Sequence, residues 1–314
     1  MRPFEEFLAV QPVVVLDGAL ATELERRGAD LRDPLWSAKC LIERPDLIRA
    51  VHLDYFKAGA DVATTATYQA TFEAFLRRGI AHAEAARLMR SAVTLAAAAR
   101  DEFWSAPDNR AGRLRPLVAA SVGPYGAMLA DGSEYRGHYA IDDDALRDFH
   151  RPRLQVLAES GADLLAFETI PSLREALILA RLLEEFSSMS AWIGFSCQDG
   201  ARTCEGDDVG ECAAAFRGVD QVAAIGVNCT RPDYLVPLLR RMGRETRKPL
   251  IAYPNSGERY DGVARVWLGA AADLPFADLS AAWFEAGARI IGGCCRTTPR
   301  DIRAIHARYA SARS

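Results

Sequence analysis

Ser160-Gly161-Ala162-Asp163-Leu164-Leu165-Ala166-Phe167-Glu168-Thr169 contains the end of a helix, a turn, a strand and a polar strand terminus. Gly161 can close a helix in the left-handed conformation that other residues resist. The run after it is apolar at successive positions, the pattern of a parallel strand covered on both faces. The run ends on an acid. The same helix-to-strand entry returns at Ala58-Gly59-Ala60-Asp61 and at Ala286-Gly287-Ala288-Arg289.

Eight apolar runs of this kind end in a polar or glycine-rich turn: 13–19, 61–68, 117–123, 163–169, 191–197, 222–229, 250–255 and 289–294. Ala-, Leu-, Arg- and Glu-rich stretches of helical periodicity separate them. Eight β/α units in 314 residues suit a (β/α)8 barrel, which takes about 250 residues plus insertions. A doubly wound open sheet fits less well. No Gly-x-Gly-x-x-Gly turn follows the first run, and polar residues gather at many strand ends instead of one switch point. The expectation is a single α/β domain over residues 1–314, a TIM barrel. Residues 69–115 read as two inserted helices, and residues 125–144, rich in Gly, Tyr and charge, as an active-site lid.

The net charge of −4 and the scatter of Lys and Arg give no footprint for nucleic acid. The first ten residues carry Glu5 and Glu6 and lack the apolar core of a signal peptide, and no apolar run reaches the roughly 18 residues of a membrane helix. A cytoplasmic protein acting on small molecules, with no membrane and no obligate protein partner, is the expectation. Seven cysteines are an odd number and crowd toward strand ends, unlike a secreted disulfide framework. In a reducing compartment such thiols are metal ligands, nucleophiles or inert core.

Barrel active sites lie at the C-terminal strand ends. Here those ends hold Asp17, Thr65, Thr67, Ser121, Glu168, Asn228, Cys229, Asn255, Cys294 and Cys295. Gly226-Val227-Asn228-Cys229 ends the sixth run and Gly292-Gly293-Cys294-Cys295 the eighth. Strands six and eight stand two inter-strand spacings apart, about 9–10 Å, and alternate strands share interior layers. Three sulfurs can thus surround one ion at zinc–sulfur distances of about 2.3 Å. The two glycines are expected to let the backbone turn both neighbouring thiols inward. A bridge between neighbours is disfavoured, since adjacent Cα atoms lie about 3.8 Å apart and an unstrained disulfide wants about 4.4–6.8 Å. Three thiolates without a fourth protein ligand describe a zinc site with one open position; the alternative is three buried small residues. Cys40, Cys197, Cys204 and Cys212 read as structural, with Cys197 and Cys204 as alternates.

Thiolates leave zinc a poor Lewis acid toward water, and its natural fourth ligand is another thiolate. A free thiol, with a pKa near 8.5, loses its proton on binding. Alkyl transfer to that sulfur is the indicated chemistry.

The stretches Leu16-Asp17-Gly18-Ala19-Leu20-Ala21-Thr22-Glu23-Leu24, Leu35-Trp36-Ser37-Ala38-Lys39, Thr64-Thr65-Ala66-Thr67-Tyr68-Gln69-Ala70 and Ser121-Val122-Gly123-Pro124-Tyr125-Gly126 resemble the homocysteine S-methyltransferase family. So do Phe167-Glu168-Thr169, Gly226-Val227-Asn228-Cys229, Tyr253-Pro254-Asn255-Ser256-Gly257-Glu258 and Gly292-Gly293-Cys294-Cys295, and the resemblance covers nearly the whole chain. It implies a zinc enzyme, with Cys229, Cys294 and Cys295 as ligands, that methylates the thiolate of L-homocysteine to give methionine. Residues 131–137, Asp-Gly-Ser-Glu-Tyr-Arg-Gly, and the Tyr253 to Glu258 motif look more like the S-methylmethionine branch than the betaine branch. Arg231 and His138 depart from the family pattern, and they bear on the donor alone.

Asp17 and Glu168 suit the ammonium of homocysteine, as the resemblance also implies, and the turn Gly18-Ala19-Leu20 suits its carboxylate. Trp36 and Tyr68 are candidate faces for a sulfonium donor. Asn228 and Ser121 are placed to orient substrate or a thiolate, or to serve as satisfied turn residues, and Thr67, Tyr253 and Asn255 share that ambiguity. His52, His82, His150 and His306 fall in helices without evident partners. S-adenosylmethionine as a further donor, betaine or another donor in its place, and a non-catalytic zinc-binding barrel are the alternatives.

Overall fold

The computed structural model describes residues 3–31, 33, 35–261, 266–272 and 274–310. Eight barrel strands span Val14–Val15, Val62–Thr64, Leu117–Val122, Leu164–Ile170, Ala191–Phe195, Val222–Asn228, Leu250–Tyr253 and Ala288–Ile291. Neighbours in the barrel pair in parallel, and the first strand lies against the eighth. A parallel bridge between Leu16 and Val62 joins the two ends of the sheet. Hydrogen bonds from Asp17 N to Val62 O at 3.0 Å and from Asp61 N to Val15 O at 2.7 Å accompany it. The TIM barrel expected from the apolar runs is the observed fold.

Strand ends differ from the apolar runs. The first two strands shrink to two and three residues; the second stops because past Thr64 the chain folds back, with Thr67 N donating to Thr65 O at 2.8 Å. Hydrophobicity alone does not register such a turn. The helix-to-strand glycines behave as the sequence suggests, with φ of +111° at Gly59, +87° at Gly161 and +112° at Gly287. Residues 69–115 carry helices Phe72–Leu76 and His82–Ser105 and a short turn Pro107–Arg110. Residues 125–144 hold a helix, Tyr125–Leu129, and a 3-10 turn, Ser133–Tyr135. Among the described residues no helix is long and apolar enough to cross a membrane.

Two apolar layers result. One lies between strands and helices. The other fills the barrel with Val14, Leu16, Val62, Ala119, Leu164, Ala166, Trp192, Ile251 and Ile290, and it includes Phe4 and Phe7. Phe4 stands 6.1 Å from Trp192, ring to ring, at the start of the fifth strand. The helix Glu5–Val10 therefore plugs the N-terminal mouth of the barrel and leaves the C-terminal mouth for chemistry.

His150 has partners after all. Its Nε2 lies 2.8 Å from Glu175 Oε1 and its Nδ1 lies 3.1 Å from Arg153 Nη2. Glu175 Oε1 also accepts from Tyr125 N at 2.7 Å, and Arg153 donates to Gly123 O. Burial holds the imidazole neutral, its pKa well below the ordinary value. This network, drawn from the successive helices Asp143–Ala158 and Leu173–Leu183, fixes both sides of the turn from which residues 125–144 depart. His52 is buried in the core, and His82 stacks on Phe72 at 3.8 Å.

Phe4→Ala removes a ring that is 1% exposed. It is expected to lower the free energy of unfolding by about 3 kcal/mol or more, read as an earlier urea midpoint at unchanged metal content. An unchanged midpoint would show that the plug is not part of the core.

Candidate metal centre and substrate cavity

Cys229, Cys294 and Cys295 converge as the strand arithmetic anticipates: their sulfurs lie within 4.8 Å of one another, and this is the one such cluster among the described residues. Cys229 Sγ lies 3.5 Å from Cys295 Sγ. The seven cysteines are all free. Cys229 reaches the cluster because its backbone adopts φ of +46°, and the chain leaves it through Arg296 at +66°. Left-handed backbone at a side chain with a Cβ costs about 1–2 kcal/mol per residue, so packing around the site must hold it.

Gly292 and Gly293 do not act through left-handed turns; neither has positive φ. Their role is close approach. A Cβ on Gly292 would lie 2.5 Å from Leu16 Cβ, and one on Gly293 would lie 2.2 Å from Thr297 Oγ1. Thr297 Oγ1 donates to Cys294 O at 2.7 Å and accepts from Ala19 N at 3.3 Å. Backbone bonds from Cys294 N to Pro254 O at 2.7 Å and from Cys229 N to Tyr253 O at 3.1 Å complete the frame.

The sulfurs share charge unevenly. Hydrogen bonds from Cys294, Cys295 and Tyr135 hold Cys229 well below the ordinary thiol range, and their hydrogen bonding to Cys229 pushes Cys294 and Cys295 up. Three thiolates this close require a cation between them, so the donor set fits a soft divalent metal. Tyr135 Oη lies 3.0 Å from Cys229 Sγ, and Asn228 Nδ2 lies 4.0 Å from Cys294 Sγ. Asn228 is itself fixed by Thr169, accepting from its N at 2.7 Å and donating to its Oγ1 at 2.8 Å.

A cavity of about 220 Å³ opens beside the cysteines. Of the residues singled out in the sequence, Gly18, Ala19, Leu20, Thr65, Tyr68, Glu168, Tyr253 and the three cysteines line it. Asp17, Thr67, Ser121 and Asn228 do not; each holds a residue nearer the cavity. Asp17 accepts from Thr64 N at 2.8 Å and from Thr64 Oγ1 at 2.9 Å. Thr67 Oγ1 donates to Ser121 O at 2.6 Å, and Ser121 Oγ donates to Glu168 Oε1. Asn255 accepts from Gly257 N at 3.0 Å within its own turn. The Trp36 side chain lies outside the described residues.

Burial raises Asp17 to about 8, with Glu168 adding to the shift, and raises Glu168 to about 7. Two further residues of the cavity wall, Glu134 and Tyr135, were not picked out individually from the sequence. The quoted motif 131–137 contains both, but only the fold of that segment across the mouth shows them facing the cysteines. Ser196 Oγ holds it there, donating to Glu134 O at 3.0 Å. Arg231 pairs with Asp233 and His138 with Glu205, and neither lines the cavity.

The profile described as homocysteine S-methyltransferase matches residues 14–309. The homocysteine S-methyltransferase YbgG of Bacillus subtilis is 53% identical over 307 residues, 98% of either chain. Homocysteine S-methyltransferase 2 of Arabidopsis thaliana is 48% identical over 312 residues, covering 96% of this chain and 94% of that one. The crystal structure of the metallated form of the homocysteine methyltransferase MmuM from Escherichia coli superposes with a TM-score of 0.88 at 45% identity, covering 98% of this chain and 99% of that one.

Because Asp17 titrates near 8 in the fold against 3.8 unfolded, the folded state binds its proton more tightly. The resulting stabilisation is full below about pH 4 and is lost as pH rises through about 8. Asp17→Asn cannot ionise, so its melting temperature relative to wild type should be higher at about pH 8.5 than at about pH 5, by about 2 °C or more. Metal-free protein is the material for those melts. A difference independent of pH would contradict an acid held near 8.

Proposed function

The chain belongs to the homocysteine S-methyltransferase family, and from that membership we propose that it transfers a methyl group from S-methylmethionine to homocysteine with zinc held by Cys229, Cys294 and Cys295. The observation that carries the donor choice is the charge of the cavity. Its wall includes Glu25, Asp33, Glu134 and Glu168, and no Lys, Arg or His is among the described residues lining it. Such a wall favours a small cationic donor and repels one carrying phosphates or a polyglutamate tail.

When bound, zinc supplies the positive charge that favours the thiolate form of a thiol at neutral pH. The protein's own residues do the rest. Glu168 on the cavity wall, with Asp17 behind it, supplies negative charge for the homocysteine ammonium, and a cation arriving there draws both acids below their raised values. The turn Gly18-Ala19-Leu20 is placed for the carboxylate. Ser121 and Tyr253 both bond Glu168 and fix where the ammonium sits. Tyr68 and Tyr135 offer aromatic faces to the sulfonium, each worth about 0.5–2 kcal/mol where it makes contact.

In the transfer the thiol proton has already left. The homocysteine sulfur gives an electron pair to the methyl carbon, and the carbon–sulfonium bond breaks with its pair passing to the leaving sulfur. Two methionines result. Positive and negative charge vanish together, so no acid or base is needed in the transfer itself.

Methionine formation from homocysteine, with S-methylmethionine, betaine or S-adenosylmethionine as donor, tests this on zinc-loaded wild type and on Cys294→Ser. S-methylmethionine should serve best, and the variant should lose its zinc and more than about a hundredfold in activity, beyond the loss typical of a merely supporting residue. No methionine from any donor with zinc fully bound would overturn the reading and favour a non-catalytic zinc-binding barrel.

A further inference from the structure

Glu134 is buried, 7% exposed, and lines the cavity. Its Oε2 has no hydrogen-bond partner. The other acids of the cavity wall are differently placed. Asp33 pairs with Arg78 at 2.7 Å and accepts from Leu35 N at 2.9 Å. Glu168 is held by Ser121 and Tyr253, and Glu25 is exposed at the rim. A buried carboxylate oxygen without a donor is costly and is satisfied most simply by a cation supplied from the cavity. Burial raises Glu134 to about 7, with the charges of Cys229 and Asp131 adding to the shift.

The position of Glu134 separates it from Glu168. Glu168 comes from the fourth strand, on the barrel side, whereas Glu134 belongs to the segment folded over the mouth. Its neighbour Tyr135 touches Cys229 Sγ at 3.0 Å, and Glu134 lines the same cavity as the three cysteines, where the accepting sulfur must arrive. Homocysteine and a cationic sulfonium amino acid occupy the site in the proposed reaction, and each brings an ammonium.

We propose that Glu134 is the donor-recognition residue and holds the α-ammonium of the sulfonium amino acid, leaving Glu168 to the homocysteine ammonium. This rests on S-methylmethionine being the donor. The alternative target, the sulfonium centre itself, is a poor one for a carboxylate. The sulfonium charge disappears in the transition state, so a negative charge beside it would stabilise the ground state more and slow transfer. The α-ammonium lies three carbons from the sulfonium and keeps its charge throughout. Binding energy spent there orients the methyl group at no penalty to the chemical step.

The test compares wild type, Glu134→Gln and Glu134→Asp with two donors: S-methylmethionine and 3-dimethylsulfoniopropionate, which has the sulfonium and carboxylate but no ammonium. Glu134→Gln should raise KM for S-methylmethionine on the order of ten- to a hundredfold, the range for a charge-assisted hydrogen bond, with the KM for homocysteine close to wild type. The loss should be at least about tenfold smaller with the ammonium-free donor, and Glu134→Asp should recover part of it. The unmoved homocysteine KM reports that the variant is folded. A rise in homocysteine KM instead would assign Glu134 to the acceptor, and equal losses with both donors would show that it does not read the ammonium; either overturns the inference while wild-type turnover leaves the donor reading intact. Failure of wild type to use S-methylmethionine would overturn the donor reading first and this inference with it.

Discussion

Mutual repulsion among three sulfurs held within 4.8 Å of one another is the constraint around which the upper half of this barrel is organised. The sulfurs come from two strand ends separated by a third strand, so the sheet must be closed and in register before they can meet. Local backbone then completes the approach. Cys229 and Arg296 adopt left-handed conformations, Gly292 and Gly293 let the eighth strand end pass against Leu16 and Thr297, and Thr297 ties Cys294 to the turn after the first strand. Thr169, which follows Glu168, is left-handed as well, with φ of +61°. Strain of this kind persists only where surrounding structure over-determines it, and here the strained residues adjoin site residues at three strand ends.

The second organising feature is an acidic cavity without a basic residue among those described on its wall. Asp17, Glu134 and Glu168 are each pushed up by burial. On the proposed reading, a cationic substrate relieves this electrostatic burden. A cationic ligand lowers the cost of three buried acids, while a neutral or anionic ligand leaves it in place. On the proposed reading, selectivity for a charged donor follows from the charge of this wall.

Much of this was legible from the residues. Apolar runs ended by polar residues, three of them entered through glycine, mark the eight strands, and strand parity brings Cys229 to Cys294 and Cys295. What hydrophobicity does not encode is where a strand stops bending with the sheet, so the first two strands came out shorter than their runs. Parity also says nothing of depth: Asp17, Thr67, Ser121 and Asn228 lie at strand ends yet stand behind the cavity wall. The two glycines before the cysteine pair matter for close packing, a tertiary fact invisible in a dipeptide. Glu134 and Tyr135 lie inside a motif whose sequence carries only a family resemblance and a loop-like composition. Their role emerges only when Ser196 and the His150–Arg153–Glu175 network are seen to hold that segment over the mouth. Long-range anchoring of that sort has no local sequence signal.

On the proposed reading, three cysteines of this chain hold one zinc ion and leave one position for the sulfur of homocysteine. Zinc X-ray absorption of the loaded protein, recorded before and after adding homocysteine, addresses it directly. The account predicts three sulfurs at about 2.3 Å with one lighter neighbour, changing to four sulfurs when homocysteine is present. A four-sulfur shell in the protein alone, or a shell that homocysteine leaves unaltered, would contradict it.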